Sequence, residues 1–411
     1  MKLDSVAAKL GSLSTACLCL AILASFMFAA PTAKASEGVF LLGNDALQLG
    51  RASSGVASPR SAYWSYMNPA SMVDLERRFD INWYTVFTDV ELKPSGLLGN
   101  RFDELESDKI ANIASSGFIL PLETGVLGGG FFIPSGSGVD YEHSRTWFSR
   151  IFQGNHDRRL DYQHMRAVLS YAYEFDNGWA LGLSLHGSLS RFRTDHITLK
   201  FTPCTGHNEW DEALGAGFGL GLYKSWDRFS VGLAYSSRHW TQSMDKYKDL
   251  LGNPLDTPQI IQAGVAWRVH PKVELTLDYK WLNWESVPTY GSTVARGGGF
   301  NWDDQNGVKF GVEWKAHRKW TLMAGYAFTT TSIDDDHVYL SALVPVAVEE
   351  HWTAGFTHHI NEKNDIHLVG VWAPENTLED SGTGDIFSRV GKGSKLSAGA
   401  LSVCLGYSYK F

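Results

Sequence analysis

Histidine and serine are the first residue types to weigh for chemistry. His186, His351, His358 and His359 all fall in segments that alternate like strands, and serines are plentiful. A serine activated by a histidine, with a third group orienting the pair, would make a hydrolase. No compact motif ties any of these histidines to a nucleophile, so the sequence does not point to an enzyme. Asp334-Asp335-Asp336-His337 gathers carboxylates of the kind hard cations accept, but it reads as a solvated loop tip. Gly297-Gly298-Gly299 lacks the strand-to-helix setting of a phosphate cradle. No metal and no cofactor follow from these residues. The informative chemistry is charge at every second position. Glu274, Thr276, Asp278 and Lys280 alternate with Val273, Leu275, Leu277, Tyr279 and Trp281. Lys309, Glu313 and Lys315 oppose Val308, Phe310, Val312 and Trp314 in the same way.

The elements that carry these charges must be strands, because successive side chains of a strand point to opposite faces. The last eleven residues show the pattern most clearly. Leu401, Val403, Leu405, Tyr407, Tyr409 and Phe411 share one face, and Ser402, Cys404, Gly406, Ser408 and Lys410 share the other. A terminal strand ending on exposed aromatics suits a membrane barrel, where those rings meet the lipid interface. Arg or Lys facing lipid at mid-bilayer costs about 2–4 kcal/mol, so the charged faces must point into a lumen. Fourteen alternating segments follow one another from residue 79: 79–92, 113–120, 126–133, 160–175, 179–193, 212–224, 229–239, 258–269, 272–287, 301–315, 320–331, 346–360, 365–372 and 395–411. Tight links such as Asp176-Asn177-Gly178 and His270-Pro271 alternate with long ones. Short turns on one side and long loops on the other define an all-β, 14-stranded antiparallel transmembrane β-barrel over residues 79–411.

The N-terminus sets the compartment. Lys2 and Lys9 precede an apolar run, and Ala33-Lys34-Ala35 supplies a small-x-small cleavage site. Residues 1–35 are predicted to be a signal peptide cut after Ala35, which places the mature chain in the Gram-negative outer membrane. A net charge of −8 excludes a polyanionic partner such as nucleic acid. Two of the four cysteines lie in the leader; Cys204 and Cys404 stand far apart and suggest no disulfide framework.

Residues 36–78 do not alternate and are rich in Gly, Ser, Asn and Ala. Asn68-Pro69-Ala70 reads as a helix start, with Asn as N-cap and Pro at the first position. Gly43-Asn44-Asp45-Ala46, Gly50-Arg51-Ala52-Ser53-Ser54-Gly55 and Met67-Asn68-Pro69-Ala70 resemble the N-terminal hatch of the FadL family. Trp281-Leu282-Asn283-Trp284, Asn301-Trp302-Asp303-Asp304, Gly325-Tyr326-Ala327-Phe328 and His351-Trp352-Thr353-Ala354-Gly355-Phe356 are also similar to that family. The resemblance implies a barrel plugged by residues 36–78 that carries long-chain fatty acids or other hydrophobic compounds, including monoaromatics and alkanes, as a monomer. It implies a passive route past the lipopolysaccharide leaflet: capture by the long loops, a lumenal pocket, plug movement near Asn68, Pro69 and Ala70, and sideways exit at a kinked third strand. Gly128, Gly129 and Gly130, followed by Pro134, give that kink a physical basis, since glycine weakens a strand and proline cannot donate to its ladder. The same small residues could instead make room for the plug. An acid's carboxylate needs a cation, and Arg268, Lys280 and Lys309 are the candidates by face. An open polar porin is the other channel class, and a plugged lumen argues against it.

Overall fold

The computed structural model describes residues 37–96, 104–141, 158–195, 204–293, 296, 299–384 and 386–411. The predicted signal peptide and its expected cleavage site lie outside these residues. The wall is built from β1 (Arg78–Lys93), β2 (Leu105–Leu122), β3 (Gly125–Tyr141), β4 (Arg158–Glu174), β5 (Trp179–Thr194), β6 (Asp211–Ser225) and β7 (Phe229–Ser236). After the two-residue β8 (Trp240–Thr241) follow β9 (Ile260–His270), β10 (Val273–Leu282), β11 (Gln305–His317), β12 (Trp320–Thr329), β13 (Glu350–His359), β14 (Asn364–Glu379) and β15 (Lys395–Lys410). Strand β8 continues the lane of β7, since both pair with β6. Fourteen lanes result. All neighbours are antiparallel, β1 pairs with β15 and β5 with β6, and the ring is closed. Closure pairs each lane with two neighbours, as a bilayer requires, except along part of the β2–β3 boundary.

The alternation sorts as the sequence indicates. On β10, Leu275, Leu277 and Tyr279 are exposed while Glu274, Thr276 and Asp278 are buried. On β15, Leu401, Val403, Leu405 and Tyr407 face outward and Ser402, Cys404 and Ser408 face inward. Cys204 and Cys404 are free thiols. Three strands run further than their hydrophobic pattern. In β2 the added residues include outward Glu106 and Asp108, and in β14 they include Glu375 and Glu379. Those ends project past the apolar band, where outward positions no longer need to be apolar, so hydrophobic periodicity stops marking the strand. Strand β3 continues through Pro134 because its ladder shifts register there.

Candidate functional site

Glu37 to Leu75 fills the space inside the ring. The segment has little regular structure: helix Ala46–Leu49, helix Trp64–Met67 and the 3₁₀ turn Pro69–Asp74. Asp45 caps the first helix, accepting from the Gln48 N–H at 3.1 Å.

Toward β10 and β11 the segment is held by charge. Arg60 donates to Glu274 at 2.6 Å and to Glu313 at 2.9 Å. Arg51, fully buried, donates to the Ser58 hydroxyl at 2.9 Å and stands 3.8 Å from Glu274. Asp278 accepts the backbone N–H groups of Gly55 and Val56 at 2.9 and 2.8 Å, with Gln262 donating to the same oxygen at 2.7 Å. Carboxylates buried this deeply are tolerated because each is paired or hydrogen-bonded.

Asn68 caps the 3₁₀ turn, accepting from the Ala70 N–H at 3.2 Å, and its amide donates to the Val56 carbonyl at 2.9 Å. Asn68, Pro69 and Ala70 press against β5 and β6, where Gly182 and Gly221 leave no space for a Cβ: one would overlap Ala70 N and Asn68 Oδ1 respectively. The motif therefore sits against the β5–β6 wall.

The wall is incomplete at the third strand. Pairing of β2 with β3 runs from Leu122↔Gly125 only to Ser116↔Phe131. The remainder of β2 pairs with β1 and the remainder of β3 with β4. The β3–β4 register breaks between Phe132 and Ser135, across Ile133-Pro134. Gly128–Gly130 lie below the break in regular ladder. Gly128 faces Met72 and Ser65 of the N-terminal segment, so it makes room for that segment, and the register shift lies at Pro134 instead. The free edge of β3 is covered from inside. Leu41 donates to the Pro134 carbonyl at 2.9 Å, Gly136 to the Val39 carbonyl at 2.9 Å, and Ile133 to Asn44 Oδ1 at 2.7 Å. Ser115 on β2 donates to the Asn44 carbonyl at 2.5 Å, so Asn44 bridges the two strands. The hydroxyls of Ser116, Ser135 and Ser137 are buried here without a hydrogen-bond partner. A cavity of about 480 Å³ opens beside Phe131, lined by Phe118, Leu169, Leu185 and His186 among others.

Under the long loops lies an apolar cluster that includes Phe40, Tyr141, Trp284, Tyr290 and Trp302. The Tyr290 and Trp302 rings stack at 4.9 Å, and Phe40 lies 5.6 Å from Trp284. The three cations named from the sequence separate here. Lys280 and Lys309 both reach Glu37, Lys309 at 2.6 Å. Burial raises the Glu37 carboxyl, and the two ammonium groups more than offset this and hold it at about 2. Arg268 is apart from them, near the turn joining β6 and β7, where it donates to the Asp227 carbonyl at 2.8 Å and stands 3.5 Å from Glu274.

A fourth cation went unread in the sequence. Arg166 on β4 is buried, and among the described residues it has no carboxylate partner. It donates to His164 Nε2 at 3.0 Å, the Tyr66 hydroxyl at 2.8 Å and the Thr257 hydroxyl at 2.8 Å, and lies over the Phe40 and Tyr66 rings. Outward Leu169, Tyr171 and Tyr173 fix the parity that turns it inward. His186 and His239 adjoin this group, 3.0 Å apart. Histidines also meet hydroxyls: Thr321, His359 and Asp365 form a chain of 3.0 and 2.7 Å. Asp365 also pairs with Lys410. This chain joins β12, β13 and β14 at their turn-side ends, and the apolar cluster lies beneath the opposite rim.

A closed fourteen-lane barrel with an apolar outer belt and a charged, filled lumen is the architecture of an outer-membrane channel. The chain belongs to the outer membrane protein transport protein family (OMPP1/FadL/TodX), whose model matches residues 27–411. That family comprises transport channels. Among solved structures, the toluene transporter TodX of P. putida is similar over 90% of this chain and 99% of its own, at 16% identity and a TM-score of 0.70. A Pseudomonas aeruginosa FadL homologue is similar over 91% and 100%, at 15% identity and a TM-score of 0.67. The Ralstonia pickettii toluene transporter TbuX is similar over 90% and 99%, at 15% identity and a TM-score of 0.64. At these identities the likeness is one of fold. No curated protein matches the chain.

Proposed function

We propose that this channel carries long-chain fatty acids passively across the outer membrane and releases them sideways between β2 and β3. Residues 1–35 act as the signal peptide, 36–78 as the plug and 79–411 as the barrel, working as a monomer. The observation that carries the reading is an apolar cluster and buried cations in one lumen, beside a wall whose ladder is open at Pro134. A hydrophobe leaves water at about 25 cal/mol per Å² of apolar surface, so the aromatic cluster under the loops collects the chain. Lys280, Lys309 and Arg166 serve its carboxylate; Arg268, spent on turn carbonyls, does so less well. Release requires the segment from Val39 to Asn44 to leave the edge of β3, with movement of the plug about Asn68, Pro69 and Ala70.

Toluene transport is named for two of the similar structures, and a monoaromatic or alkane substrate is the second reading. Uptake of labelled oleate and of toluene by cells lacking their own channel separates the two. Oleate uptake that Pro134→Val abolishes supports fatty-acid passage and lateral exit. Toluene uptake alone moves the substrate to aromatics, and free passage of sugars with neither hydrophobe overturns the channel type.

A further inference from the structure

Glu37 is a carboxylate followed, after Gly38, by the apolar side chains of Val39 and Phe40, and it sits where a fatty-acid headgroup would. It is fully buried, and both of its oxygens are engaged, one by Lys280 and one by Lys309. Phe40 lies under Lys280 and against Trp284 of the apolar cluster. The placement is built in by the chain. Gly38 has φ +63° and would drive a Cβ into the Trp284 ring, so only glycine suits that position. Glu37 and Phe40 exchange backbone hydrogen bonds at 3.3 and 3.2 Å, which closes the turn between them. The same turn continues into the cover on β3: Phe40 bridges Ser135, and Val39 and Leu41 bond Gly136 and Pro134. Two residues of chain, about 7 Å at full extension, separate the ion pair from the first bond to the free edge.

We infer that Glu37 is a tethered surrogate for the ligand's headgroup, and that an incoming carboxylate displaces it from Lys280 and Lys309 and so frees the edge of β3. This inference rests on the fatty-acid reading above. Competition for two lysines is an exchange of like for like, so the ligand replaces the surrogate without leaving either ammonium buried and unpaired. A neutral chain of equal length fills the apolar cluster but offers nothing to the lysines. Opening is thereby coupled to the acid group, and the coupling needs a differential affinity of the ligand for the displaced state.

The test is amide hydrogen exchange on the full-length protein in detergent, with oleate or with oleyl alcohol, alongside direct measurement of oleate binding. Oleate should speed exchange at Leu41, Ile133 and Gly136 at least tenfold, and oleyl alcohol should leave it within twofold. Glu37→Gln should raise exchange at the same amides without ligand and tighten oleate binding several-fold. The wild-type comparison alone decides the matter should that variant misfold. Oleate that binds and is taken up while those amides stay protected overturns the surrogate role and leaves the fatty-acid reading standing. Failure of oleate to bind overturns both. Equal acceleration by oleyl alcohol overturns the role of the carboxylate.

Discussion

The N-terminal segment meets the barrel in two different ways. Against β10 and β11 it is fixed by ionised groups: Arg51 and Arg60 on one side, Glu274, Glu313 and Asp278 on the other, all largely withdrawn from water. Against β3 it is fixed by neutral bonds from Val39, Leu41 and Asn44 to a strand that has lost its neighbour. A neutral hydrogen bond contributes about 0.5–1.5 kcal/mol net, whereas breaking a buried ion pair costs about 3–5 kcal/mol. The β10–β11 side is therefore an anchor and the β3 side a latch, and movement should begin at the latch.

The largest effect should come from the anchor. Glu274→Ala leaves Arg51 without its nearest carboxylate and Arg60 with Glu313 alone. We expect a loss of about 3 kcal/mol in urea unfolding from vesicles and leakage of small sugars. A variant as stable and as tight as the parent would break the comparison. Next, Gly221→Val puts a side chain where Asn68 and Ala70 stand. Overpacking costs about 1–3 kcal/mol, and trypsin should then reach the fully buried Arg51; continued protection would mean that the β5–β6 contact can relax. At the latch, Asn44→Ala removes the acceptor of Ile133, for about 1 kcal/mol. Its signature is faster exchange at Ile133 with global stability nearly unchanged.

The smallest effect is a pH dependence. Burial, with Asp80 close by, raises Asp45 to about 6. A carboxyl whose folded pKa lies above its unfolded value binds its proton more tightly when folded, so stability rises as pH falls through 6 and levels off below the unfolded value. Asp45→Asn keeps a capping side chain and lacks the charge, so it should raise the unfolding midpoint at pH 8 and not at pH 4. Glu37 behaves oppositely. Its pairing is fully present above its ordinary range and is lost as pH falls toward about 2, so this ion pair should survive acidification through the Asp45 titration down to pH 4.

Much of the wall was legible because lipid imposes a strict period on it. The faces of β10, β11 and β15 follow from single residues such as Asp278 against Leu277. Where that pressure ends, the pattern ends: the outer part of β2 carries Glu106 and Asp108 on its exposed face and could not be recognised as strand. The lumen was legible only in part. Asn68 as a cap can be read locally, since its acceptor serves Ala70 two residues on. The partner of Lys280 and Lys309 could not, because Glu37 lies in a stretch without periodicity and meets them across 243 positions of chain for Lys280. Gly128 and Pro134 look equally disruptive in the sequence, yet one accommodates Met72 and the other shifts the ladder. Only the neighbour across the lumen tells them apart.

Strand β1 begins directly after the enclosed segment, and its outer neighbour is the last strand of the chain. Arg78 donates to Ser408 across 330 positions, and the seam between them runs the full length of both strands. The ring closes only where β15 pairs with β1, the strand that directly follows the enclosed segment. The two ends of the wall are thus the two lips of one seam, and whatever loosens that seam opens the circle beside the segment it encloses.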